Sequence, residues 1–479
     1  MTQIVQTDQL VDDQKIGAFN IRLLVLCWLA MFADGYDISA MPFAAIDLAH
    51  KWGVASKDFS VVFAASNVGV LFGAPLLGFL GDRFGRRVAI ILGSAIFGTF
   101  TLAMIWATSL EQMTALRFMA GVGIGGLMPN TIALTSELSP KRWRAMLVVL
   151  MFTGVTLGSG TPGPVAGWLV PQYGWQVVFL IGGIVPLAVG ALLLFVLPES
   201  VKFLAALPER RARLLKTARA MRPDLTLPDD TQFVIEQPLE PRTASASGSG
   251  FLGLQRIFRG SLAAITPLLW VCFAMTLMAN YFLNNWMPLV FANHALTPKQ
   301  AVIASTLYHV GGTIGGIVVA LLLNRFGFVA IAVLFGFAAP AIAAIGFEGM
   351  SPDALAFIAG FAGLCVLGVQ FGNNACAGLI YPTETRSQGA GWALGIGRFG
   401  SIVGPLAGGY LVGQKVPFQE LFLWASLPMA IGLLAAILVA VLCYRRFGRN
   451  TLDDKPLAPA DERHLRGHDG HEQHVRIQG

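Results

Sequence analysis

Apolar positions gather into twelve long runs, at roughly 21–45, 58–80, 88–107, 112–135, 146–169, 176–197, 262–290, 299–323, 328–347, 353–380, 388–413 and 420–443. A helix needs about 20 apolar residues to cross a bilayer, and the runs are of that length. The pattern predicts an all-α integral membrane protein with twelve spans. The longest polar stretch, 198–260, divides the runs six and six. The expected organisation is a short N-terminal segment (1–20), a six-helix bundle (21–197), a linker (198–260), a second six-helix bundle (261–443) and a polar tail (444–479).

Composition supports the membrane reading. Apolar residues make up 55% of the chain and charged residues only 13%, against about 25% in soluble domains. The net charge of +6 is no nucleic-acid signal, because its distribution follows the membrane. Of 33 Lys and Arg, 27 lie in the N-terminal segment and the very start of the first run (Arg22), the even-numbered connections and the tail. Four (Lys51, Lys57, Lys299, Lys415) lie in the odd-numbered connections, and Arg117 and Arg398 lie inside runs. Positive residues collect on the cytoplasmic side, so both termini are expected in the cytoplasm, with no cleavable signal peptide. The five cysteines all fall in apolar runs without metal or disulfide spacing, which reads as buried small side chains. The tail histidines His464, His468, His471 and His474 are irregularly spaced. No metal and no cofactor are expected. The basic stretch 201–221 reads as a helix, either solvated or on the membrane surface, and Thr243–Gly250 as a flexible linker.

The two halves repeat. Arg83-Phe84-Gly85 matches Arg325-Phe326-Gly327 at an offset of 242, as Pro140 and Arg144 match Pro382 and Arg386. Gly163-Pro164 matches Gly404-Pro405 at 241. Such a repeat implies two bundles related by an axis along the membrane normal, with a substrate site near the midplane between them.

Charges inside the runs carry the chemistry. Asp34 and Asp37 stand in the first run, where one Asp at a helix centre costs roughly 2.5–3.5 kcal/mol even on mild scales. Such acids read as a proton or ion site, or as hydrogen-bond partners of a neighbouring helix. Arg117 opens a glycine-rich stretch of the fourth run, near its outer end. It either snorkels to the surface or pairs with an acid. Arg398 lies deeper, in Gly395-Ile-Gly-Arg398-Phe-Gly400. A guanidinium there suits a carboxylate, either of an acidic substrate or of an Asp on the first helix. Asn284, Trp286, Tyr308, His309, Gln370 and Asn374 are candidates to line a site for a flat ligand with polar edges. Each residue alone reads equally as glue between helices. Between the second and third runs lies Gly81-Asp82-Arg83-Phe84-Gly85-Arg86-Arg87. Its glycines allow a tight turn, and Asp82 can join an ion-pair latch whose contacts differ between two states. Glu137, with Arg83 or Arg87, and Arg144 and Arg386 belong to the same expected gating group. In the second half Asn324 takes the place of Asp82. No nucleophile–base arrangement or nucleotide-binding loop argues for an enzyme.

Asp34-Gly-Tyr-Asp37, the 81–87 loop, the Arg117 run and Tyr381-Pro-Thr-Glu-Thr-Arg386 resemble the aromatic acid:proton symporters of the major facilitator superfamily. The resemblance implies a monomer in a bacterial inner membrane that takes up an aromatic carboxylate with a proton. The proton gradient would be the driving force. It also implies that Asp34, Asp37, Asp82, Arg117, Glu137 and Arg398 matter for transport. The residues themselves leave open a proton-antiport exporter on the same fold, or a non-transporting sensor.

Overall fold

The computed structural model describes residues 4–229, 231–234, 257–258, 262–294, 296–347, 349–381 and 386–447. The Ser/Gly run 243–250, the histidine-bearing tail and the side chain of Arg386 lie outside the described residues. The first half contains α1 (Ala18–Trp52), α2 (Phe59–Phe84), α3 (Arg86–Ala103), α4 (Leu110–Glu137), α5 (Lys141–Gly160, continued by Pro162–Tyr173) and α6 (Gln176–Val196). The second contains α7 (Leu262–His294), α8 (Pro298–Phe326), α9 (Phe328–Ile345), α10 (Pro352–Ile380), α11 (Arg386–Gly413) and α12 (Phe418–Phe447).

Eleven of these are long and apolar enough to span a membrane. The exception is α11, whose glycines and Arg398 lower its hydropathy although it runs 28 residues and packs along α7 and α2. Helix starts are marked by polar caps: the Ser109 side chain accepts from Gln112 N at α4, and Thr297 forms a capping box with Gln300 at α8.

The sequence repeat is a structural repeat. Gly85 and Gly327 each take a positive φ, +111° and +55°, at the turn into α3 and α9, a conformation that glycine adopts without a side-chain clash. Arg83 lies over Phe84 and Arg325 over Phe326, each 5.5 Å from the ring centre. The halves meet through α1 with α7, α2 with α11, and α5 with α8. Among the described residues, side-chain contacts between them are found at the end remote from the chain termini. There Phe63 meets Trp286 edge-on at 5.4 Å, Thr306 and Val302 face Gly163, and Ser60 faces Gly409.

At the opposite end the N-terminal segment and the linker fold together on the first half. Strand Ile4–Gln6 pairs in parallel with Gln232–Val234. The helix Thr7–Asp12 follows, and Asp8 and Asp12 pair with Lys202 (2.6 Å) and Lys141 (2.8 Å). The basic helix Arg211–Met221 packs one face on the first half and leaves its basic face exposed. Its Leu214, Leu215, Ala218 and Met221 share a buried core with Leu10 and Val11.

The α2–α3 turn gives a direct test. A Cβ on Gly85 would meet the Glu199 carboxylate, whereas one on Gly53, also at positive φ, meets open space. Backbone strain alone costs of order 1–3 kcal/mol. Gly85→Ala is therefore expected to lower the thermal midpoint in detergent clearly more than Gly53→Ala, as read by a thermal-shift assay.

Candidate functional site

Four consecutive residues of α1 point in four directions, because each step along a helix turns about 100°. Asp34 is buried, and one of its carboxylate oxygens has no hydrogen-bond partner among the described residues. The positive charge that acts on it is Arg398 of α11, from the other half. Gly35 lies against the backbone of Val155 in α5, where any side chain would collide, and its carbonyl accepts from Ser159 Oγ at 2.9 Å. The Tyr36 hydroxyl donates to the Val178 carbonyl of α6 at 3.0 Å. Asp37 accepts from Arg117 Nη1 of α4 at 2.8 Å on both carboxylate oxygens, and the Thr101 hydroxyl of α3 lies at 3.5 Å. The tetrapeptide thus joins α1 to α3, α4, α5 and α6 while leaving Asp34 toward the second half.

This geometry settles the open pairings. Arg117 does not snorkel: its side chain is 3% exposed and that of Asp37 is 1% exposed. Asp37 is ion-paired with Arg117, whereas Asp34 has no ion pair among the described residues and feels Arg398 only through its charge, so the two carboxylates have different surroundings. Tyr281 of α7, absent from the sequence-derived set, is buried within electrostatic range of Arg398, Asp34 and Arg117. Its signal was its place in Asn280-Tyr281-Phe282 beside the other polar residues of the seventh run.

The remaining candidates divide into groups. Tyr308 donates to Asn280 Oδ1 at 2.8 Å, and Asn280 Nδ2 donates to Gln370 Oε1 at 3.1 Å. Asn284 and His309 both engage Ser39 of α1. Trp286 donates its indole N–H to the Pro405 carbonyl at 2.9 Å. Asn374 is exposed, and its neighbour Asn373 is the buried one, donating to Thr276 at 3.2 Å.

The 81–87 loop forms a separate cluster at the end that carries the termini. Asp82 pairs with Arg86, whose Nε lies 3.6 Å from Glu137. Glu137 also accepts from the Ser200 hydroxyl, so its partners are Arg86 and Ser200, not Arg83 or Arg87. Arg87 gives its backbone N–H to Glu199 at 3.2 Å and its guanidinium to the Leu194 carbonyl. Arg144 lies 4.0 Å from Asp12. Glu199 was not among the expected residues, although a lone acid ending the sixth run beside an arginine-rich loop was a visible signal. Burial raises its carboxyl above the ordinary range, against the lowering effect of the Ser200 and Arg87 backbone donors. The contacts named here join residues of the first half and of the segments that precede and follow it.

The buried pair predicts a mutational asymmetry. Removing one partner of a buried ion pair costs about 3–5 kcal/mol, while removing both charges is often near neutral. Arg117→Gln should lower the thermal midpoint strongly, and adding Asp37→Asn should restore most of the loss. A double variant no more stable than Arg117→Gln would show that the pair does not set this cost.

Comparison with known proteins places these features. The model of the Major Facilitator Superfamily matches residues 27–347 and 269–468. The 4-hydroxybenzoate transporter PcaK of Pseudomonas aeruginosa is 32% identical over 440 residues, covering 91% of this chain and 96% of that protein. The gallate transporter of Pseudomonas putida is 34% identical, covering 89% and 93%. The benzoate transport protein of Acinetobacter baylyi is 31% identical, covering 92% and 93%. Among solved structures, the partially occluded inward-open xylose transporter XylE from E. coli superposes with a TM-score of 0.65 at 14% identity, covering 88% of this chain and 97% of that one. A bacterial homologue of the lysosomal transporter Spinster gives 0.62 at 14%, covering 90% and 97%. These two share the fold. With its repeated six-helix halves and its acid-bearing first helix, the chain belongs to the major facilitator superfamily of membrane transporters, in the family of the aromatic-acid transporters.

Proposed function

We propose that this protein carries an aromatic carboxylate, such as 4-hydroxybenzoate or a related benzoate, into the cell together with a proton. The observation that carries the reading is the placing of opposite charges in the two halves. Asp34 of α1 lies in the field of Arg398 of α11 without an ion pair between them among the described residues, while Asp37 is already neutralised by Arg117. An incoming carboxylate competes with Asp34 for the Arg398 guanidinium, with which it can bond in bidentate geometry. Protonation of Asp34 removes that competition, so proton and acid bind together more readily than either alone. The Tyr281 hydroxyl beside Arg398 can donate to a carboxylate oxygen of the substrate. The relatives named for 4-hydroxybenzoate, gallate and benzoate support the substrate class.

In this mechanism the loaded site carries less net charge than either partly loaded one, and a less charged cleft closes more readily in a low dielectric. The halves then rock about the site, and the other end opens. Asp37 and Arg117 hold α1 to α4 throughout, so the first half moves as a body. The residues of this site act by binding and by moving a proton, with no bond of the substrate broken. The inner membrane, with both termini in the cytoplasm, is the location that fits the distribution of Lys and Arg.

Cells producing the chain should accumulate labelled 4-hydroxybenzoate or benzoate, and a protonophore should abolish the accumulation. Asp34→Asn and Arg398→Ala should each lower uptake by on the order of tenfold or more, which is about 1.4 kcal/mol. Wild-type uptake by Arg398→Ala would remove it from the site. Accumulation that survives the protonophore would remove the proton.

A further inference from the structure

Helix α1 carries Pro42 in its interior. Proline has no N–H, so the helical bond from residue 42 to the carbonyl of residue 38 cannot form. In a membrane a freed carbonyl needs another donor. That donor comes from the opposite half: Asn284 Nδ2 of α7 donates to the Ile38 carbonyl at 3.0 Å. One residue further, Ser39 Oγ donates to Asn284 Oδ1 at 3.0 Å. The Asn284 amide therefore gives and takes a bond at adjacent residues of α1. Ser39 has one proton, and Asn284 receives it. The 3.1 Å contact between Ser39 Oγ and His309 Nε2 of α8 is then donated by the imidazole. Ser39, Asn284 and His309 are all buried. Helix α7 has the same local design, because Pro288 follows Asn284 by four residues as Pro42 follows Ile38.

We infer that Asn284, Ser39 and His309 are a gate that holds the halves together at the end remote from the termini, with the carbonyl freed by Pro42 as its docking point. Opening this end breaks the Asn284 bond and strands the Ile38 carbonyl until water reaches it. The proline thereby gives the closed state a contact that an uninterrupted α1 would not need. Ile38 directly follows Asp37, so the gate sits on the same turns of α1 as the two acids. Asn284 and His309, which the sequence offered as ring-binding residues, act here on the protein's own helix. The inference rests on the rocking of the halves in the proposed function and is independent of the substrate and of proton coupling.

The test reads the gate directly and without substrate. Thr306 of α8 faces Gly163 of α5 across the closed end, and its hydroxyl has no partner among the described residues. A Thr306→Cys reporter is labelled with a membrane-impermeant maleimide in vesicles of each orientation. The five native cysteines are all buried, and the parent protein supplies their background. Asn284→Ala should raise the labelling rate from the side remote from the termini by about fivefold, the population shift given by ~1 kcal/mol for a lost hydrogen bond. Pro42→Ala, which returns an N–H to the Ile38 carbonyl, should raise it as well. In the Pro42→Ala background Asn284→Ala should add little. Ser39→Ala, which leaves the Ile38 bond in place, should give a smaller rise and controls for misfolding of the Asn284 variant. An unchanged rate in Asn284→Ala, or effects of Asn284→Ala and Pro42→Ala that simply multiply, would overturn the gate. Uptake that fails in the substrate assay while these labelling shifts hold would count against the proposed substrate and leave the gate standing.

Discussion

The ion pair between Asp37 and Arg117 is the contact on which the first half depends. Two charges stripped of water in a membrane interior are tolerable only when they neutralise one another at close range, and one guanidinium nitrogen reaches both carboxylate oxygens here. The pair fixes the rotation of α1. With Asp37 turned toward α4, Gly35 meets α5, Tyr36 meets α6, and Asp34 is left facing the second half. A different rotation would place a side chain at the Gly35 crossing and bury Asp34 without an opposing charge.

The two acids three residues apart therefore do unlike work. Asp37 is ion-paired within the first half, whereas Asp34 lies in the field of Arg398 of the second half and has an oxygen with no hydrogen bond among the described residues. A group that can change its protonation state during a cycle must be able to lose its counter-charge at one stage and regain it at another. Asp34 and Arg398 belong to different halves of the molecule, and Asp37 and Arg117 belong to the same half. That difference in location is why the proposed function gives the proton to Asp34.

The two ends of the molecule are built differently. At the end remote from the termini, helices of the two halves interlock through Phe63 on Trp286 and the Ser39–Asn284–His309 group. At the other end, the Asp82–Arg86–Glu137 cluster and the folded N-terminal segment bind parts of the first half to each other. The charged loop thus braces one half where α2, α3, α4 and the segment after α6 converge. Glu199 and Ser200 complete that brace from the polar stretch that follows the sixth helix.

The sequence by itself determined the class, the number of helices, the repeat and which charges stand inside the apolar runs. Hydrophobic length and charge cost are local properties, readable one segment at a time. The turn at Gly85 and its copy at Gly327 were legible for the same reason, since a tight turn is written in adjacent residues. Pairing was not legible. Whether Arg117 or Arg398 answers Asp37 depends on the rotation of α1 against four other helices, and no spacing along the chain records it. The same holds for Glu137, whose partner is Arg86 and not its neighbours Arg83 or Arg87 in the loop. It holds again for Asn284 and His309, where helices of different halves meet at residues some 245 and 270 positions from Ser39. Proline 42 was visible in the sequence, but only the crossing of α7 over α1 shows what answers the carbonyl it sets free. The tertiary structure decided these points because a side chain's partner is set by which helix face packs against which, a global property of the bundle.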